Sequence, residues 1–304
     1  MKILVTGAGG QFGRQAAEKL LACIPASDLI LTTRDPAKLA DLAARGVSVR
    51  AADFDDPVSL DMAFAGAERM LLVSTNPVGA RIESHYNAVD AAKRAGVKHI
   101  VYTSIVAAAD PLNPSMVKID HFATEQRIRE SGLSWNFLED SQYAEAVGIA
   151  MAKFAIVTGL YETSAGEGKV GFVSRDDCVD CAVALLLGAG EPNTTYTPTG
   201  PESLSQREAM DLAAEISGRP IETRTVSHEA MQAIFDAMGV PRTVADLTPE
   251  SPIPWVSEDM LSFCQALKEG VFDILTDDVQ RLTGHPPKSL REVLIATRAE
   301  WDPD

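Results

Sequence analysis

The chain has 304 residues, 46% of them hydrophobic, enough for one large α/β domain carrying a smaller lobe and too apolar for a disordered chain. Lys and Arg number 27 against 43 Asp and Glu, a formal charge of -16, so the long-range field repels phosphate polymers and anionic membrane surfaces. Nucleic-acid and membrane partners are not expected, and an anionic small ligand needs local donors.

Met1-Lys2-Ile3-Leu4-Val5 runs straight into a glycine loop, with no apolar leader and no cleavage site, and no later stretch approaches the roughly 20 apolar residues of a membrane helix. A cytoplasmic protein is expected. Cys23, Cys178, Cys181 and Cys264 are too scattered for a disulfide framework. Cys178-Val179-Asp180-Cys181 opens an apolar helical run and has no second pair to complete a metal site, so no metal is expected.

In chain order, strands are predicted at Ile3 to Thr6, Leu29 to Thr33, Val47 to Arg50, Met70 to Ser74, His99 to Ser104 and Trp135 to Leu138. Helices are predicted between them, at Gln11 to Cys23, Pro36 to Arg45, Val58 to Phe64, Arg81 to Ala95 and Lys118 to Ser131. Asp35-Pro36 and Asp56-Pro57 each set a capping carboxylate before a proline at the first helical position, and Gly46, Gly96 and Gly132 close three of the helices. This alternation predicts an α/β Rossmann fold, a doubly wound parallel sheet.

Beyond about residue 140 the alternation breaks down. Gly159 to Gly171 is expected to be a loop, Val170 to Ser174 a strand and the run from Cys178 to Leu187 a helix. Ser205 to Ser217 and His228 to Met238 read as helices, and Thr248 to Trp255, with three prolines, as an extended loop. The expected division is a cofactor domain over residues 1–152 and a smaller C-terminal α/β lobe over residues 153–304 that binds substrate, with the chain passing between the two.

The strongest motif is Gly7-Ala8-Gly9-Gly10-Gln11-Phe12-Gly13, directly after a strand and opening a helix. Gly7 permits the tight turn, Gly10 lets backbone approach a pyrophosphate, and Gly13 lets helix and strand pack closely, while Gln11 and Phe12 begin the helix whose N-terminus receives the anion. Arg34, about 20 residues past Gly13, stands where an acidic side chain would bind the ribose of NAD, and its planar fork suits the 2′-phosphate of NADP instead. Lys38 reinforces it, and Asp35 is accounted for as a helix cap. Asp53 and Phe54 are placed at the adenine. Ser74, Thr75 and Asn76 end the fourth strand at the edge where open α/β sheets bind ligands, and Thr103 and Ser104 point at the same crevice.

These residues, together with Ala95-Gly96-Val97-Lys98-His99-Ile100-Val101-Tyr102-Thr103-Ser104, His121-Phe122-Ala123-Thr124-Glu125 and Leu282-Thr283-Gly284-His285-Pro286-Pro287, resemble the NmrA-like branch of the atypical short-chain dehydrogenases. Within it the chain is most similar to the NADPH:quinone oxidoreductases of type 2 and the triphenylmethane reductases. The resemblance covers nearly the whole chain and implies an NADP-binding domain, a substrate pocket under the small lobe, and hydride transfer to a quinone or similar electrophilic aromatic. It also leaves a non-catalytic NADP(H)-sensing regulator as the alternative, and a homodimer as the assembly.

Three departures stand out. Gly9 replaces a usual threonine, and Glu139-Asp140 replace Arg-Asn in a stretch whose tyrosine, Tyr143, is kept; both carboxylates are expected to make the pocket floor acidic. The Tyr-x-x-x-Lys pair of standard relatives is missing, with Val117 and His121 at its two positions. The resemblance therefore implies Ser104 and Tyr143 as the catalytic candidates and His121 as a contact of the nicotinamide ribose. Reduction of a quinone or carbocation gives a stabilised product and needs little general-acid help.

Overall fold

Leucine-rich and β-branched runs pair into a seven-stranded parallel sheet in the computed structural model, which describes residues 1–76, 78–248, 251, 253 and 255–302. The first half supplies β1 (Ile3–Val5), α1 (Gln11–Leu21), β2 (Leu29–Thr33), α2 (Ala40–Ala44), β3 (Ser48–Ala51), α3 (Pro57–Phe64), β4 (Arg69–Leu72), α4 (Ile82–Arg94), β5 (His99–Ile105), α5 (Val117–Ser131) and β6 (Ser134–Asp140). A short α6 (Ala144–Ala146), a single π-helical turn (Val147–Ala152) and α7 (Lys153–Thr158) follow, then β7 (Leu160–Thr163), β8 (Lys169–Val170), α8 (Arg175–Leu186) and β9 (Thr194–Tyr196). The chain ends with β10 (Leu204–Ser205), α9 (Gln206–Ser217), β11 (Glu222–Thr225), α10 (His228–Ala237), α11 (Ser257–Lys268), α12 (Asp278–Thr283), α13 (Leu290–Ala296) and α14 (Arg298–Trp301).

The strand order is β3-β2-β1-β4-β5-β6-β9, the doubly wound order expected of a Rossmann domain. The central strands are apolar on both sides because helices cover both faces. Ile3, Val5, Leu31, Leu71, Val101 and Leu138 face α1 and α8, whereas Leu4, Ile30, Met70, Ile100, Tyr102 and Phe137 face α3, α4 and α5. The edge strand β9 and helix α8, both beyond residue 152, belong to this sheet layer. A third core, with Val147, Phe172, Met210, Leu267, Leu294 and Trp301, holds the small lobe together.

The capping carboxylates act as the sequence predicts: Asp35 accepts from Ala37 N and Asp56 from Val58 N, each at 3.1 Å. Pro36–Leu39 forms a 3-10 turn before α2, so the expected single helix from Pro36 to Arg45 is two pieces. The second half departs further. Gly159 to Gly171 is not a plain loop, since it contains β7 and β8, and the strand expected over Val170 to Ser174 stops at Val170 except for a single bridge from Val173 to Tyr143. The reason lies in Ser174, whose hydroxyl accepts from Asp176 N and starts α8 three residues before Cys178. The extended loop expected over Thr248 to Trp255 lies largely outside the described residues.

Candidate active site

The groove that opens between β1 and β4, where the strand order reverses, has a volume of about 600 Å³. Its glycine loop permits no side chain at the decisive point: a Cβ on Gly13 would lie 2.6 Å from Gly7 O and 2.9 Å from Ala8 Cα, and Gly7 itself has φ +59°. Gly9 has a local explanation, because a Cβ there would meet Thr33 Oγ1 at 2.8 Å. Twelve of the thirteen residues predicted to bind cofactor line this one groove: Gly7, Gly10, Gln11, Phe12, Gly13, Arg34, Lys38, Asp53, Phe54, Ser74, Thr75 and Asn76.

At one end, Arg34 and Lys38 are exposed beside Gly9 and form no ion pair or side-chain hydrogen bond among the described residues. Their neighbours behave differently: Arg14 is bound by Asp41 and Glu18, Arg45 by Glu18, and Lys19 by Asp176 and Asp180. In a chain with this excess of acid, two cations left without a carboxylate at the mouth of a groove mark an anion-binding position. Asp53 Oδ1 accepts from Asp55 N at 3.1 Å and forms a strand-end turn that presents Phe54 to the groove.

At the other end, the segment after β4 is pinned by side chains from four different elements or loops. Val73 N donates to Thr6 Oγ1 at 3.0 Å, Ser74 N to Thr103 Oγ1 at 2.9 Å, and Thr75 N to His85 Nε2 at 3.1 Å. Arg81 Nη1 donates to Thr75 O at 2.7 Å, and Arg81 Nε donates to Asp120 Oδ2, which also accepts from Gly79 N. Because His85 Nε2 accepts, its Nδ1 carries the proton and donates to Thr124 Oγ1 at 2.9 Å, and that hydroxyl donates to Asp120 O. Burial, and secondarily the Arg81 charge, holds this imidazole neutral with a pKa of about 3.

His85 therefore ties the loop to acid stability. Its folded pKa lies below the ordinary 6.5, so the unfolded chain binds more protons between pH 6.5 and 3 and the native state loses stability as pH falls through that window. His85→Gln keeps an acceptor for Thr75 but does not titrate. The stability gap between wild type and this variant is expected to narrow by about 1–2 kcal/mol from pH 7 to pH 5 in urea unfolding; a constant gap would mean that His85 is solvated.

Two predicted site residues take other partners. Ser104 is buried and its Oγ donates to Glu125 Oε1 at 2.6 Å, on the face of β5 covered by α5. His121 is buried behind the same face, with Nδ1 2.9 Å from the Tyr102 hydroxyl, and burial holds it neutral. Neither is among the residues lining the groove. The acidic floor expected from Glu139 and Asp140 does not form either, because consecutive strand residues point to opposite faces. Glu139 turns towards α5, where its Oε2 accepts from the N–H of Ala107, whose φ is +58°. Desolvation, with the neighbouring Glu125 charge, raises its pKa to about 7. Asp140 turns towards α8 and is buried beneath Tyr143, whose hydroxyl donates to Asp140 Oδ2 at 2.8 Å.

Tyr143 is half-buried and, like Ser104 and His121, is not among the residues lining the groove, but it packs in the same cluster as Val73, which does line it, and the Arg175 guanidinium lies over its ring at 5.2 Å. Arg175 lines the groove and was not predicted as a site residue. The signal was present: it is the first residue of α8, where the helix dipole disfavours a cation, so an arginine there calls for an anionic neighbour. The Glu145 carboxylate supplies part of the answer by accepting from Arg175 N at 3.1 Å.

The NmrA-like family model matches residues 1–247, which span the glycine loop, the groove and most of the small lobe. The chain belongs to the NmrA-like family. This NmrA-like chain is 33% identical over 293 residues to quinone oxidoreductase 2 of Escherichia coli, covering 95% of this chain and 96% of that one. Its fold matches the crystal structure of an E. coli NADPH-dependent quinone oxidoreductase complexed with NADPH, with a TM-score of 0.87, 30% identity, and coverage of 97% and 99% of the two chains. It also matches Citrobacter triphenylmethane reductase complexed with NADP(H), with a TM-score of 0.85, 31% identity and the same coverage. Among the described residues no helix is long and apolar enough to cross a membrane.

Proposed function

We propose that this NmrA-like protein is an NADPH-dependent reductase that acts on a quinone or a similarly electrophilic aromatic. The observation that carries the reading is the groove itself, with a glycine loop that a Cβ would fill and two cations without carboxylate partners beside it. Backbone at Gly9 to Phe12, at the N-terminus of α1, would hold the pyrophosphate of NADP. Arg34 and Lys38 would hold the 2′-phosphate, Asp53 and Phe54 would border the adenine, and Ser74 to Asn76 would border the nicotinamide ribose. When bound, the reduced nicotinamide supplies a hydride.

The rest of the chemistry is positioning. The N–H groups of Val73, Ser74, Thr75 and Gly79 are pinned, so this wall of the groove would give the ring a fixed floor, and Arg175, with Tyr143 packed behind it, would border the space that we assign to the acceptor. The resemblance to quinone and dye reductases supports an acceptor of that kind, since the hydride step itself requires only one flat electrophile held face to face with the cofactor. The capture of Ser104 and His121 by buried partners favours the second reading, a non-catalytic NADP(H) sensor using the same groove.

Calorimetric titration of the purified chain with NADPH and with NADH tests the cofactor assignment. NADPH is expected to bind about tenfold or more tightly, from its charge-assisted bonds to the 2′-phosphate. Equal affinities would remove Arg34 and Lys38 from the site.

A further inference from the structure

We propose that Asp140 is a proton store that reloads Tyr143, so that the Tyr143 phenol protonates acceptors whose reduction leaves an oxyanion. The proposal rests on the reductase reading above. Asp140 would be a positioning and proton-supplying residue that acts through Tyr143, the residue of the two that packs against Arg175 and Val73 of the groove wall.

The geometry is that of a two-step relay. Tyr143 is half-buried behind Arg175 and Val73 of the groove wall, and its hydroxyl donates to Asp140 Oδ2 at 2.8 Å. Asp140 is 4% exposed, and its Oδ1 is buried with no hydrogen-bond partner among the described residues. A carboxylate in that position would be a buried charge whose second oxygen meets only the Cys178 thiol, a weak donor, which favours the neutral acid. The surroundings add no cation in direct contact with it. From α8 the Cys178 thiol faces it, with Cys181 and Asp177 behind, and Asp278 of α12 lies against Cys181. The segments after β5 and β9 hold the backbone of the turn: Val106 N donates to the Asp140 main-chain O, and Pro198 O accepts from Ser141 N. Arg175 is beyond the Tyr143 ring. Burial raises the Asp140 pKa to about 7, so the store is loaded below neutral pH and can be refilled from water near it, while the same burial keeps both thiols protonated.

The proton balance separates two kinds of acceptor. A quinone that accepts a hydride is reduced by two electrons, the nicotinamide is oxidised, and the resulting oxyanion takes one proton. In the relay the Tyr143 O–H bond breaks as the new O–H bond forms on the product. The Asp140 O–H bond breaks as the Tyr143 hydroxyl re-forms, and the Asp140 carboxylate recovers its proton from water. A triarylmethane cation that accepts a hydride becomes neutral and takes no proton. A brace that merely held the turn from Asp140 to Tyr143 would affect both acceptors alike.

The full-length chain, as wild type and as Asp140→Asn, is assayed with NADPH on a benzoquinone and on a cationic triarylmethane dye across pH. The quinone-to-dye ratio of kcat is expected to fall about tenfold or more in the variant, within the range of general-acid effects. The wild-type quinone rate is expected to fall as pH rises through about 7, where the Asp140 store ionises, and the variant is expected to lack that fall. One measurement on the wild type stands independently of how the variant folds: quinone turnover is slowed in D2O and dye turnover is not. Because buried Glu139 also titrates near 7, the infrared carboxyl band of the cofactor-free protein is read as the difference between wild type and Asp140→Asn, which should lose one component titrating near neutral pH. Parallel loss on both acceptors, a quinone pH profile shared by both proteins, or an unchanged infrared band would overturn the relay and leave the reductase standing. A wild type that binds NADPH and reduces neither acceptor would remove the reductase and the relay together.

Discussion

Arg34→Asp is expected to weaken NADPH binding about 10- to 100-fold while changing NADH affinity only a few-fold. The expectation follows from the absence of any competing carboxylate on Arg34 among the described residues, so its whole charge is free to meet the 2′-phosphate. Charge-assisted hydrogen bonds of this kind contribute about 1.5–3 kcal/mol, and the substituted aspartate adds repulsion with the phosphate. NADH lacks that phosphate, and an aspartate at this position can accept from its ribose hydroxyl. Titration of both cofactors against the variant checks it. A loss of equal size for NADPH and NADH would show that the substitution acts on the loop rather than on the phosphate.

Asp120→Ala is expected to have the largest effect on stability, about 3–5 kcal/mol in urea unfolding. The Arg81–Asp120 pair is 5% and 1% exposed at the two side chains, so removing the carboxylate strands a guanidinium away from water. Asp259, the other carboxyl facing Arg81, is itself raised to a pKa of about 6 by burial and makes a poor substitute. The same change frees Gly79 N, and Arg81 then holds Thr75 O from an unanchored side chain, so NADPH affinity should fall together with stability. A loss below about 1 kcal/mol would place the pair in the class of solvated surface bridges and contradict the pinned floor.

The sheet and the glycine loop were legible because local chemistry carries them. Asp35, Asp56 and the glycines act within a few residues of their own positions, and apolar strands between helices leave one arrangement for a doubly wound sheet. Partners distant in sequence were not legible. Ser104 and Glu125, His121 and Tyr102, and Arg81 and Asp120 lie 21, 19 and 39 residues apart, and which side chain captures which depends on the register of helix against strand. Glu139 and Asp140 could have been separated by strand alternation alone, which puts neighbours on opposite faces. The second half resisted for a different reason: its strands are two to four residues long, and β7 and β8 are set by pairing with β11 and β10 rather than by their own composition.

The most direct test of the account is NADPH oxidation by the purified chain, followed by absorbance with a benzoquinone, a naphthoquinone, a cationic triarylmethane dye or no acceptor, with NADH in parallel. Turnover is expected to depend on acceptor and to run faster with NADPH than with NADH. Tight NADPH binding with no turnover on any acceptor would contradict it and leave the groove as that of a sensor.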